Sequence, residues 1–137
     1  GTPSALAFSH ADLIEQTESL PAAHPGYPQA GDLFWSPAAW SARAGLLEGL
    51  LPAWRQGQPV VAYDGDVSAE AAFALIDKYD VRNARLTPQE LEAMMSAMPR
   101  PNESLDCRLR TLSTGGMAAA PALAEWLQAQ LGVAATA

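Results

Sequence analysis

The sequence predicts an α/β sandwich with a mainly parallel sheet flanked by helices. Three observations carry that expectation. Short apolar runs take turns with longer stretches at helical spacing, in the order helix, then strand and helix repeated. The runs read as unalternating, as strands covered on both faces do. The connections are short, which suits one α/β domain over residues 1–137.

Each element has its local reason. Ser9 caps a helix beginning at His10, with Asp12 near its positive end. Residues 21–31, PAAHPGYPQAG, carry three prolines and two glycines and read as an exposed loop. DLFWS is a short strand, and Ser36-Pro37 caps the helix behind it. That helix sets Trp40, Leu47, Leu50, Leu51 and Trp54 along one side, with Ala44 and Gly45 as small contact points and Gly57 as its stop. PVVAYDG suits a buried parallel strand ending in a turn. SAEAAFALIDKYD is helical, with Ala72, Phe73, Ile76 and Tyr79 on adjoining positions. VRNARL is a strand, and Thr87-Pro88-Gln89-Glu90 is a capping box that starts another helix at Pro88. AMPRPNES breaks it. LRTLSTGG is a strand running into two glycines, Pro121 opens a last helix through Leu131, and GVAATA is a final strand.

Composition narrows the function classes. A chain of 137 residues, 49% hydrophobic, can bury a core. Fifteen acidic against eight basic residues give a net charge of −7, which argues against nucleic-acid and anionic-membrane surfaces. The single cysteine, Cys107, allows no internal disulfide and fits a reducing, cytoplasmic setting. No apolar run reaches the roughly 20 residues of a membrane span, and the first residues lack the basic start and apolar stretch of a signal peptide.

In a parallel sheet ligands gather at the C-terminal strand ends, so the loops that matter are Ser36–Trp40, Asp64–Asp66, Thr87 and Ser113–Met117. Thr114-Gly115-Gly116-Met117 follows a strand and precedes a helix. Two glycines there let a flat ring or phosphate approach the backbone, or simply make a tight turn. Asp64-Gly65-Asp66 offers carboxylate oxygens to a hard cation, but a third ligand at useful spacing is missing, so a turn is expected and no metal site. A response-regulator reading would need a late lysine, and the last lysine is Lys78. His10, His24 and Cys107 have no evident partner, and no serine elbow is visible. The four tryptophans suit a core, although Trp35 and Trp40 flank a strand-end loop and one of them can line a pocket. The residues therefore supply no self-contained catalytic set.

Taken in order, several stretches resemble AMP-forming acyl-CoA synthetases. GTPSALAFSHADLI is similar to the segment behind that family's glycine-rich phosphate loop, which runs Gly-Thr-Pro-Lys-Gly into a helix. GDLFWSPAAWSARAGLLEGLLPAWRQGQPVVAYDG resembles its aromatic strand end, Trp-containing loop, long apolar helix and Gly-x-Pro-Val-Val strand. AEAAFALIDKYDVRNARLTPQELEAMM and LRTLSTGGMAAAPALAEWLQAQLGV resemble the stretches that lead up to its adenylate-binding Tyr-Gly-x-Thr-Glu motif. The resemblance covers essentially the whole chain.

That resemblance implies an internal section of the large N-terminal domain. The front of the phosphate loop would lie before Gly1. The ribose-binding aspartate and the lysine-bearing C-terminal domain would lie after Ala137. The parent would be an ATP-dependent acid:CoA ligase that forms an acyl-adenylate and then an acyl-CoA thioester, using ATP, Mg2+ and coenzyme A on a small or medium carboxylic acid such as acetate or a fatty acid. The fragment alone would be inactive, bind none of these tightly, and self-associate through an exposed apolar surface. By position, Thr2 would contribute to phosphate binding, and Thr114, Gly115, Gly116 and Met117 would line the adenine and acyl pocket. Trp40 and Arg43 would stand near the acyl group or the coenzyme A channel, Arg43 either selecting an anionic tail or facing solvent. Ser4 replaces the family's lysine, Ala39 stands in the usual Ala-Asp-Trp-x-Trp loop, and Met117 follows Gly-Gly where Glu or Ala is usual. These departures keep two rivals in view: a degenerate, non-catalytic remnant acting as a binding or interaction module, and an unrelated α/β ligand-binding domain.

Overall fold

The computed structural model describes residues 9–11, 14, 27–38, 46, 50–63 and 67–136. Among the described residues the bounded elements follow in the order β1 Phe34–Trp35, α1 Leu51–Arg55, α2 Ala69–Lys78, β2 Asn83–Arg85, α3 Pro88–Ala97, a 3-10 turn Pro101–Glu103, β3 Thr111–Ser113, α4 Pro121–Gln130 and β4 Ala135–Thr136. The four strands form one sheet in the order β1-β2-β3-β4. Every pair is parallel. The expected α/β sandwich with a parallel sheet is therefore present. His10, Ala11 and Ile14 are helical, as the first helix requires.

Local chemistry sets the helix starts. The Ser68 hydroxyl accepts from the Ala71 amide at 3.1 Å, with Glu70 in the first turn and Lys78 in the last. Thr87 and Glu90 form the reciprocal box: the Glu90 amide donates to Thr87 Oγ1 at 3.2 Å, and the Thr87 amide donates to Glu90 Oε1 at 2.9 Å. Pro121 opens α4 without a side-chain cap, since Ala120 stands at that position. Gly57 and Gly132, at φ +69° and +66°, end α1 and α4.

One face of the sheet holds the core. Partners in register point the same way, so Trp35, Ala84, Leu112 and Ala135 share a face. Onto it pack Phe73 and Ile76 of α2, Leu91 and Met94 of α3, and Leu123 and Leu127 of α4. Each such side chain contributes roughly 1.5–3 kcal/mol on full burial. Trp126 closes the margin, edge-on to Phe73 at 6.3 Å between ring centres, its indole N–H on the Pro99 carbonyl at 2.8 Å.

The opposite face differs from the sequence expectation. The strands alternate after all: Phe34, Asn83, Arg85, Thr111, Ser113 and Thr136 share it. At its N-terminal end buried Asp32 gathers the polar groups. Its Oδ2 accepts from Asn83 Nδ2 at 3.0 Å and the Gln29 amide at 3.1 Å, and its Oδ1 pairs with Arg110. Thr111 Oγ1 donates to Asn83 Oδ1 at 2.6 Å.

Two further expectations change. PVVAYDG makes a single parallel bridge, Val60 to Phe34, flanked by Phe34 N–H to Pro59 O at 3.0 Å and Val61 N–H to Phe34 O at 2.9 Å. Pro59 has no N–H to extend the ladder. Trp54 is 60% exposed, because the buried stripe of α1 runs through Leu50 and Ala53 and leaves its ring outside.

Candidate functional site

Parallel strands joined by helices leave one crowded end, where strands finish and the next helices begin. Here that end collects Ser36 and Pro37 after β1, Leu86 and Thr87 after β2, and residues 114–117 after β3. The N-termini of α2, α3 and α4 open toward the same end, each with a partial positive charge.

The Thr114–Met117 turn is the most fully built part. Gly115 and Gly116 take φ +67° and +85°, where an L side chain is strained. Thr114 holds the turn from below. Its amide donates to the Thr136 carbonyl at 2.9 Å, tying the turn to β4. Its hydroxyl, itself buried, donates to the Met117 carbonyl and lies 3.3 Å from that of Thr136. The Gly115 amide donates to Ser113 Oγ at 3.3 Å. Above the turn, among the described residues, a β-carbon on Gly116 would meet nothing within 4 Å, and Met117 is 43% exposed.

Gly115 has a second constraint. A β-carbon there would overlap the Arg85 guanidinium, with Cζ only 2.9 Å away. Arg85 ends β2 in register with Ser113 and is 5% exposed. Its side chain therefore crosses the polar face of β3 and ends beneath the glycine turn. Sequence reasoning passed over Arg85. The available signal was a charged residue inside the run VRNARL, placed two residues from Asn83.

On the apolar face, a cleft of about 100 Å3 opens between the strand ends and the starts of α2 and α3, lined by Trp35, Pro37, Ser68, Leu86, Glu90 and Met94. Trp35 is thus one of the pair that lines a pocket. Thr2, Trp40 and Arg43 lie outside the described residues, as do Ser4, Ala39, His24 and Asp64–Asp66.

The remaining chemistry-bearing groups stand apart. Cys107 is buried before β3, its thiol donating to the Phe73 carbonyl at 3.7 Å. Burial, helped by the Asp77 and Asp106 carboxylates, pushes its pKa up to about 12, so it is no nucleophile at neutral pH. His10 is exposed. Among the described residues no three His, Cys, Asp or Glu side chains converge as a metal would need.

A family model described as AMP-binding enzyme matches residues 1–136. No curated protein matches the chain. Among solved structures, a Brucella canis acyl-CoA synthetase superposes with a TM-score of 0.73 at 23% identity over 90% of this chain and 22% of its own. MbtA of Mycobacterium smegmatis gives 0.69 at 26% identity, over 91% and 22%. A long-chain-fatty-acid-CoA ligase of Archaeoglobus fulgidus gives 0.67 at 20% identity, over 88% and 24%. The chain thus spans about a quarter or less of the length of these solved relatives.

Proposed function

The chain belongs to the AMP-binding enzyme family of adenylate-forming ligases, and from that premise we propose that it forms one wall of the active site of an ATP-dependent acid:CoA ligase. The overall reaction would join a carboxylate to the α-phosphate of ATP, releasing pyrophosphate, and then exchange AMP for the thiol of coenzyme A. The observation that carries the reading is the Thr114–Met117 turn at the ligand end of the parallel sheet.

The turn fits a nucleotide in three ways. Gly116 presents bare backbone to open space, so a flat ring can lie against it without meeting a side chain. Thr114 fixes that backbone through β4, which removes the ordering cost from the binding step. The helix starts of α2, α3 and α4 add positive potential where phosphates and carboxylates would arrive. A divalent ion would come with the nucleotide and take much of its coordination from phosphate oxygens, since the described residues offer no ligand cluster. Met117 would face the acid, and Thr2, Trp40 and Arg43 remain the other proposed contacts.

The test is acid-dependent exchange of pyrophosphate into ATP by the full-length gene product carrying this chain, against a panel of carboxylic acids, followed by thioester formation on coenzyme A. Exchange with at least one acid and transfer to the thiol are expected. Nucleotide binding without exchange on any acid would refute the ligase and leave the binding module.

A further inference from the structure

The two glycines of the turn sit in opposite surroundings. A β-carbon on Gly115 would meet Nη2, Cζ and Nε of Arg85, with Cζ at 2.9 Å and Nε at 3.0 Å. A β-carbon on Gly116 would meet nothing among the described residues within 4 Å. Both residues hold a positive φ. The first glycine thus admits a side chain of the protein itself, and the second leaves its backbone bare.

Arg85 reaches that place from a neighbouring strand. It ends β2, in register with Ser113 of β3. The Leu86 amide donates to the Ser113 carbonyl at 3.0 Å, which joins the two strands at the root of the turn. On the other side the Thr114 amide donates to the Thr136 carbonyl of β4 at 2.9 Å. Past Thr114, the Arg85 guanidinium meets the turn from the β2 side. Arg85 is 5% exposed and engaged within the protein, so its guanidinium is a fixed post and not a loose side chain. The group is also planar and keeps its shape, which an ammonium on a flexible stem does not.

Resting on the reading of the turn as a nucleotide wall, we propose that Arg85 is a positioning residue for the nucleotide base. It touches no ligand. Its guanidinium fills the space beneath Gly115 and holds the Gly115–Gly116 backbone at a fixed height, where a flat ring lies against Gly116. With that space empty the turn would be free to sink toward the sheet, because two adjacent glycines resist bending least. The base would lose its contact with the backbone, and each binding event would first have to order the turn. In the proposed site Thr2 and the helix starts serve the phosphates, so the effect of Arg85 is confined to the base.

The experiment compares AMP with ribose 5-phosphate, which is AMP without its base, as ligands of the full-length gene product by titration calorimetry. Wild type is expected to bind AMP at least about tenfold more tightly. Arg85→Met should raise the dissociation constant for AMP roughly tenfold and that for ribose 5-phosphate less than about twofold. Arg85→Lys should raise that for AMP about threefold, since it returns the stem and the charge without the planar group. It also carries the test if Arg85→Met does not fold. Gly115→Ala, which displaces the guanidinium from the other side of the contact, should weaken AMP selectively as well. The proposal is overturned if the Arg85 variants weaken both ligands alike, as a direct phosphate contact or a general loss of structure would, or if they bind AMP as wild type does. Either result removes this inference alone. A wild type that binds AMP no more tightly than ribose 5-phosphate overturns the nucleotide-wall reading and this inference together.

Discussion

Replacing Gly115 by alanine tests the geometry of the glycine turn most directly. Two penalties act at this position. The backbone sits at φ +67°, which costs an alanine roughly 1 kcal/mol relative to glycine. The new methyl would also occupy the place of the Arg85 guanidinium. Moving that buried group off its rotamer and disturbing its polar contacts costs about 2 kcal/mol more. Gly116→Ala is the matched control, because Gly116 has φ +85° and open space where the methyl would go. Its expected cost is the backbone part alone, about 1 kcal/mol. Urea midpoints at neutral pH would separate the two variants by about 2 kcal/mol, and melting temperatures by roughly 6 °C for a domain of this size. The double variant Gly115→Ala with Arg85→Ala isolates the overlap: together the two changes should cost about 2 kcal/mol less than their sum. Equal destabilisation by the two single alanines, with no coupling to Arg85, would refute this account of why residue 115 is glycine.

Three further outcomes follow from the same contacts. Thr87→Ala removes the hydroxyl that caps α3 and should lower the unfolding free energy by about 1 kcal/mol, read from a urea titration. Asp32→Ala leaves buried Asn83 without its acceptor and releases the exposed Gln29 amide and Arg110 to water, for an expected loss of roughly 2 kcal/mol by the same measurement. Burial, with the Asp32 carboxylate adding to it, raises the Tyr27 hydroxyl to about 12, and with the Cys107 thiol, also raised to about 12, it sets an alkaline limit. The unfolded chain loses these protons first, so it binds fewer of them than the native state once the pH passes about 9. Stability should therefore be undiminished by these groups below pH 9 and fall as the pH rises toward 12. Urea midpoints across that range should decline less steeply in Cys107→Ala.

Much of this fold was legible because the local signals agree with one another. The capping box at Thr87, the helix start at Pro121 and the stop at Gly57 each depend on neighbouring residues, and each forms as read. The glycine turn was legible as a candidate site for the same reason. What escaped depends on non-local partners. Whether Val60 extends a strand depends on the lack of an N–H at Pro59 facing β1. Whether Trp54 is buried depends on how far around α1 its cover reaches. Arg85 was missed because the strands were taken as apolar throughout. The alternation of Asn83, Ala84, Arg85 and of Thr111, Leu112, Ser113 was present in the sequence, but over three residues it is too short to separate a two-faced strand from a loop.

The two faces of the sheet divide the work in a way that the usual parallel sheet does not. Parallel sheets covered by helices tend to be apolar on both sides. Here one face takes the apolar load, with Phe73, Leu112 and Leu127 fully buried against it. Apart from Phe34 on β1, the other face carries polar groups, and their order has a direction. At the strand starts Asp32 holds Arg110 and Asn83 in a closed set. At the strand ends Arg85, Ser113 and Thr136 form a row, with the Arg85 guanidinium packed against the Gly115 backbone. A buried polar group is costly unless it is satisfied, so a sequence that places Asn, Arg, Thr and Ser on a central sheet face must satisfy them internally or by a ligand. The Asp32 set is satisfied within the described chain. At the ligand end Arg85 is engaged as well, and its guanidinium packs against the Gly115 backbone where a β-carbon would otherwise sit, so the glycine at 115 is part of how that polar group is accommodated.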